Sequence, residues 1–290
     1  FAIPFSFVRV GFWLGAAELA VISIVVCGLH LLYADIVLAT PQFHRMPGYV
    51  RRYLGHDTAG LSWVSSLMGI VGTLLAYLIL ETLFLQTIAG RAGVGASSLG
   101  WTLGIVVAVA VITFFSLKRE AAINGVLTIF EIAFIIGLPL FLMRHASVAN
   151  LAGIQSENFF LPFGVLLFAL SGGSVIPDVI TLLGRNRKKA HAAIIVGSLI
   201  PAILYFFFAY AVVGVTGTAT SEEAIAGLQR ALGGTIAFWA SIAGFLAVFT
   251  SHVALSANFQ AMLRLDMDVP RRAAWIVASV VPVMLYFAGF

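Results

Sequence analysis

Charge is what this chain has least of. Only 10% of its 290 residues are Asp, Glu, Lys or Arg, against 61% hydrophobic, and the mean hydropathy is +1.06. A soluble domain carries roughly 25% charged residues, so a water-soluble globular protein is excluded. There is one cysteine, Cys27, set in an apolar run, which excludes a disulfide framework. Acidic residues are too few to balance the basic ones, leaving a net charge of +4. The basic residues nevertheless fall in short loops between apolar runs, so nucleic acid is not an expected partner. Enzyme signatures are missing too: there is no H-E-x-x-H metal motif, no G-x-S-x-G elbow and no phosphate-binding loop. The opening residues lack the basic region and small-residue cleavage site of a removable signal peptide. With no initiating Met and with apolar residues at both ends, the chain reads as a fragment missing sequence on either side.

What is abundant is long apolar runs. A helix needs about 20 apolar residues to cross ~30 Å of hydrocarbon. Eight such runs lie near 13–39, 60–89, 99–117, 121–143, 160–183, 190–216, 232–260 and 271–290, preceded by a partial one at 1–10. The expected fold class is an all-α membrane protein of about nine spans, the first partial, forming a single transmembrane domain over 1–290. Twelve of the 16 basic residues sit in the loops after the second, fourth, sixth and eighth spans: Arg45, Arg51 and Arg52; Lys118 and Arg119; Arg185, Arg187, Lys188 and Lys189; Arg264, Arg271 and Arg272. Only Arg9, Arg91, Arg144 and Arg230 fall on the other side. The positive-inside rule puts the first group in the cytoplasm, together with whatever precedes Phe1. The segment 40–59, with Pro41, Pro47 and Gly48, is then a cytoplasmic loop able to hold an interfacial turn. The segment 217–231 lies outside, where Ser221, Glu222 and Glu223 suit the start of a short helix.

The sixth run, FLPFGVLLFALSGGSVIPDVITLL, is interrupted by Ser171, Gly172, Gly173 and Ser174 and then by Ile176-Pro177. Unwound backbone survives at membrane depth only where buried protein or a cavity supplies partners. A second Ile-Pro pair, Ile3-Pro4, opens the chain. Shifting the sequence by 173 residues superposes the two pairs. Two five-helix halves of opposite orientation follow, about 1–147 and 158–290, with a tenth span expected beyond Phe290. Paired interruptions in two inverted halves point to the substrate site of a secondary transporter. The start of the second half-helix favours a carboxylate, and carbonyls left unpaired at the end of the first can hold a cation. A Gly-rich packing kink is the plainer alternative. Phe168, three residues before Ser171, puts an aromatic ring on the same face.

Further polar residues lie within the other runs. Gly69, Thr73, Tyr77 and Glu81 are four residues apart, hence on one face of the third span. An ionisable side chain inside a span is a candidate functional group. Glu81 lies toward the outer end and reads either as proton-coupling or as hydrated. Glu131, nearer the centre of the fifth span, is either a proton acceptor or a structural carboxyl. His30 and His252 are proton relays or packing histidines. Asp178 is placed to cap or pair within its half-helix. In the eighth span, Ala240, Gly244, Ala247, Ser251, Ala254 and Asn258 form a small-residue stripe suited to close helix approach. The adjacent hydroxyls of Thr250 and Ser251 either bond back to carbonyls one turn earlier or ligate a cation.

The run PFGVLLFALSGGSVIPDV, the opening FAIPFSF and the second-span exit HLLYADIVLATPQFHRMPGYVRRYLG together resemble the amino acid/auxin and aromatic amino acid permease group. That group belongs to the amino acid–polyamine–organocation superfamily. The resemblance covers nearly the whole chain. It implies a leucine-transporter-like fold, with an inverted five-helix repeat and unwound first and sixth helices, in a bacterial cytoplasmic membrane. It also implies secondary transport of a neutral or aromatic amino acid coupled to sodium or a proton. Carried over by position, Ala2, Ile3, Phe168, Ser171, Gly172, Gly173 and Ser174 would line the substrate, and Tyr77 would resemble the tyrosine that closes over it. Thr250 and Ser251 would resemble the hydroxyl pair that binds sodium, so the implied bound species is a sodium ion and no organic cofactor. Glu131 and Glu81 stand as candidate proton-coupling residues. The glycine-containing break of the first helix would precede Phe1. A sensor, scaffold or channel of the same fold is the alternative class.

Overall fold

Inside hydrocarbon every backbone N–H and C=O must be satisfied within the protein, and for a single apolar run the solution is a helix. A computed structural model describes residues 2–91, 93–95, 97–115, 117–153 and 158–289. The regular structure among them is helical throughout. In chain order the helices are α1 (Ala2–Val10), α2 (Phe12–Ala39), α3 (Met46–Leu54), α4 (His56–Arg91), α5 (Ser98–Thr113) and α6 (Leu117–Leu142). They continue with α7 (Leu161–Leu170), α8 (Ile176–Leu182), α9 (Arg187–Thr216), α10 (Ile225–Leu232), α11 (Gly234–Asp266) and α12 (Arg271–Phe287). Six described segments are long and apolar enough to cross a membrane: Phe12–Ala39, His56–Arg91, Lys118–His145, Leu161–Leu182, Arg187–Ala219 and Gly234–Asp266. Ser98–Thr113 is a shorter apolar helix.

Two connecting segments differ from the sequence reading. The loop over 40–59 contains a nine-residue helix, α3, with Pro47 in its first turn, where a missing N–H costs nothing. Tyr49 is buried while Arg51 and Arg52 are exposed, so one face carries the packing. The short helix expected within 217–231 starts at Ile225 rather than at Ser221, because Ala224 takes a left-handed conformation (φ 63°) and turns the chain just before it. Ser221 and Glu223 still serve that helix from outside, accepting from the N–H groups of Gly227 (3.0 Å) and Ala226 (3.3 Å).

The chain falls into two compact units, each drawn from separate stretches of sequence. The first comprises Phe1–Leu32, Phe130–Gly172 and His191–Gly244. Lipid tails are as apolar as leucine, so close packing rather than water exclusion holds such helices together. Its core joins Ile3, Phe7, Phe12 and Leu19 to Leu166, Leu170, Ala209 and Val213. Phe12 meets Phe7, Phe206 and Tyr210 with ring centroids 5.7–5.8 Å apart. Gly11 (φ 98°) makes the turn from α1 into α2 that a side chain would strain. α1 packs along α7, and Asn158 bonds the Arg9 carbonyl at 3.0 Å.

The second unit comprises Tyr33–Ile129, Gly173–Ala190 and Phe245–Phe290. Within it α4 packs on α5 and on α12. Ile70 and Leu74 meet Phe259, Met262, Ala274 and Ala278; farther along, Leu78, Ile105, Val109, Phe249 and Val253 form a second cluster. The buried side of α11 here thus runs through Phe249, Val253, Ser256 and Phe259, and Ser251 of the small-residue stripe is exposed.

Candidate functional site

The interrupted span is broken where the sequence places the break. In the first unit α7 ends at Leu170, and Ser171 leaves the helical region with ψ 76°. Its N–H reaches back to Phe168 O (3.2 Å), and that of Gly172 to Leu170 O (2.8 Å). The Ala169 carbonyl accepts from the Tyr205 hydroxyl of α9 at 3.2 Å. His30 of α2 flanks the break: a Cβ added at Gly172 would lie 3.5 Å from His30 Cε1. The same imidazole is held through Nδ1 by Ser198 Oγ at 3.0 Å. Ile3 is buried beside Leu166 and Leu170, Ala2 is exposed, and Phe168 is 53% exposed one turn before Ser171.

In the second unit the chain resumes as a single tight turn, Gly173–Val175, and α8 begins at Ile176 with Pro177 in its first turn. The guanidinium of Arg45 grips this start. Nη1 donates to Ser174 O at 3.1 Å and to Asp178 Oδ2 at 2.9 Å, and Nη2 donates to Asp178 Oδ1 at 2.6 Å. Asp178 therefore pairs with Arg45, at the start of α3, rather than within its own half-helix. Arg45 is fixed in turn through its backbone: Asp266, at the end of α11, accepts from the N–H groups of Arg45 (3.1 Å) and Gly48 (3.2 Å) and contacts His44 Nδ1 at 3.1 Å. A carboxylate placed there satisfies the first N–H groups of α3 and complements its dipole. Nearby, Arg185 donates to the carbonyls of Val37, Leu38 and Thr40 where α2 ends.

The sequence reading expected unpaired carbonyls at the break. Those of Phe168, Ala169, Leu170 and Ser174 instead each accept a protein donor. Each keeps a second lone pair, so a cation there would share these oxygens rather than find them vacant.

A polar seam joins α4 to α11 within the second unit. Glu81 is 0% exposed, and its Oε2 lies 2.8 Å from His252 Nδ1. Of its two readings, proton-coupling or hydrated, complete burial speaks against the second. The Tyr77 ring lies 6.2 Å from the His252 ring, and its hydroxyl hydrogen-bonds Ser251. Thr82 and Thr102 share a bond of 2.9 Å one residue beyond Glu81. His252 also borders a small cavity with Ser256, Ser279, Leu78 and Pro282. Thr250 and Ser251 both donate to Ala247 O, at 3.2 and 3.0 Å, which is the back-bonded arrangement. Asn124 Nδ2 donates to the Thr250 carbonyl at 3.2 Å. Glu131 lies partly buried on α6 in the first unit.

The structure thus groups Ala2, Ile3, Phe168, Ser171 and Gly172 in one unit, and Gly173, Ser174, Tyr77, Glu81, Thr250 and Ser251 in the other. Arg45, Tyr205 and Ser198 were not singled out by the sequence. Arg45 counted only as one positive charge among several in its loop, and nothing local marks it as buried.

Long apolar helices, one of them interrupted at 171–175, are those of an integral membrane protein. Residues 1–288 match the tryptophan/tyrosine permease family, and the chain belongs to that family. No curated protein matches the chain. A permease moves its substrate without converting it, so the chain is an amino acid transporter and not an enzyme.

Proposed function

We propose that this permease is a secondary active transporter of aromatic or other neutral amino acids, driven inward by sodium or a proton through alternating access. It would have nine spans in the chain at hand, arranged as an inverted five-helix repeat in a cytoplasmic membrane. The observation that carries the reading is the break at 171–175 in an otherwise apolar span of a tryptophan/tyrosine permease. Irregular backbone at that depth is costly unless it serves a cavity, and such breaks are where transporters hold substrate. Substrate contacts would come from Ser171 and Gly172 with Phe168, Ala2 and Ile3, and from Gly173 and Ser174 with Tyr77. The coupling ion would be a sodium held by Thr250 and Ser251, or a proton on Glu81 or Glu131.

The test is uptake of radiolabelled tryptophan or tyrosine by cells expressing the protein with Ser171→Leu. Loss of uptake with unchanged membrane insertion is expected. Retained uptake would remove the break from the substrate site.

A further inference from the structure

Arg45 is a charged residue in an almost fully enclosed place. Its side chain is 7% exposed and that of its partner Asp178 is 18% exposed. Enclosing such a pair gains little stability over apolar residues of the same volume, because desolvation offsets most of the attraction. What the pair supplies is direction: a guanidinium fork accepts a carboxylate in one plane. Here the fork takes both oxygens of Asp178 and, from the same Nη1, the Ser174 carbonyl one turn earlier. The base of the fork is fixed as well, since the Arg45 N–H is bound by Asp266 at the end of α11. One residue therefore ties the end of a long helix to the first turn after the break. Glu120, also buried, interacts electrostatically with both Arg45 and Asp178, so a second carboxyl attends the clasp. α8 has only seven residues, with Ile176, Pro177 and Ile180 buried, and a helix that short has little stability of its own.

We infer that Arg45 is the positioning residue of the broken span: its clasp on Ser174 and Asp178 fixes α8 in the orientation seen here, and release and re-formation of the clasp accompany each transport cycle. Arg45 acts through α8 and does not itself touch the substrate. The inference rests on the transport reading only for its second half; the clasp itself can be probed without any substrate.

The experiment replaces Cys27, the one native cysteine, with Ser and introduces Ser174→Cys, which leaves the 174 carbonyl in place. The rate of labelling by a membrane-impermeant maleimide is then measured on vesicles of both orientations, for the parent and for Arg45→Gln, Arg45→Lys and Asp178→Asn. Freed of the clasp, the turn should open more often, and labelling should rise roughly fivefold or more in Arg45→Gln and Asp178→Asn. Arg45→Lys keeps the charge but not the fork and should fall between them and the parent. In Arg45→Gln and Asp178→Asn without the added cysteine, the maximal uptake rate should drop about tenfold or more, because α8 is no longer held in one orientation during the cycle; an unchanged rate would overturn the second half of the inference. Unchanged labelling in whichever of Arg45→Gln and Asp178→Asn reaches the membrane overturns the inference. Absence of amino acid uptake in the parent would sink the transport reading instead, and the labelling result would still decide the clasp.

Discussion

His252 Nδ1 lies 2.8 Å from Glu81 Oε2 and joins α11 to α4 across 171 residues of sequence. The carboxyl is fully buried, and its Oε1 has no hydrogen-bond partner among the described residues. A carboxyl and an imidazole in contact can hold one proton between them at no net charge. Losing that proton leaves an enclosed negative charge, which a protein interior resists. The pair is therefore suited to take up a proton only when a path to water opens. Removing one partner leaves the other buried without its hydrogen bond, at ~1–3 kcal/mol. Glu81→Ala and His252→Ala should each lower the unfolding temperature in detergent by several degrees, and the double variant should lose less than their sum. Glu81→Gln keeps an acceptor for His252 but cannot carry a proton. It should retain exchange of substrate across proteoliposomes while losing accumulation driven by a pH gradient. Intact accumulation would move proton coupling away from this pair.

Two glycines predict opposite outcomes from the same substitution. A Cβ at Gly48 would run into the Asp266 carboxylate, whose place is fixed by the Arg45 and Gly48 N–H groups and by His44. Gly48→Ala must push that carboxylate away from the start of α3, leaving its N–H groups unmatched at ~1–3 kcal/mol. A Cβ at Gly172 would meet His30 Cε1 at 3.5 Å, an ordinary contact. Gly172→Ala should leave the unfolding temperature within a degree or two of the parent, and any loss of uptake in it would then reflect the break's function rather than its folding. Comparable destabilisation in the two variants would contradict the packing described around Asp266.

The helices were legible because their signal is local: apolar runs at 13–39, 190–216 and 232–260 became α2, α9 and α11 with ends shifted by a few residues. The break at 171–175 was legible for the same reason, since Ser-Gly-Gly-Ser and Ile-Pro disfavour helix wherever they stand. α3 was not, because MPGYVRRYL is short and opens with Pro and Gly; its start depends on Asp266, 218 residues away from Gly48. Arg45 was hidden in the same way, its partner Asp178 being 133 residues distant. The burial of Glu81 was not legible either, because position along a span says nothing of which neighbour faces a side chain. What the sequence left out was pairing between distant residues, and the polar centres of this protein consist of such pairs.

The adjacent hydroxyls of Thr250 and Ser251 permit a separation of folding from coupling. Both donate to Ala247 O, so each oxygen retains lone pairs that a sodium ion could use without breaking the existing bond. Such back-bonds contribute little to a helix and even weaken it slightly, so Thr250→Ala with Ser251→Ala should change stability by no more than ~1 kcal/mol. Tyr77 would lose its Ser251 partner but keep its place beside His252. If the hydroxyls hold the coupling ion, uptake in the double variant should no longer respond to replacing sodium with choline, while substrate exchange at equal concentrations persists. If instead the proton pair drives transport, the double variant should keep both its uptake and its dependence on the pH gradient. Measuring uptake across the two ion series in this variant and in Glu81→Gln assigns the coupling to one centre or the other, because each substitution removes one candidate set of ligands and keeps the Glu81–His252 or the Thr250–Ser251 side chains of the other.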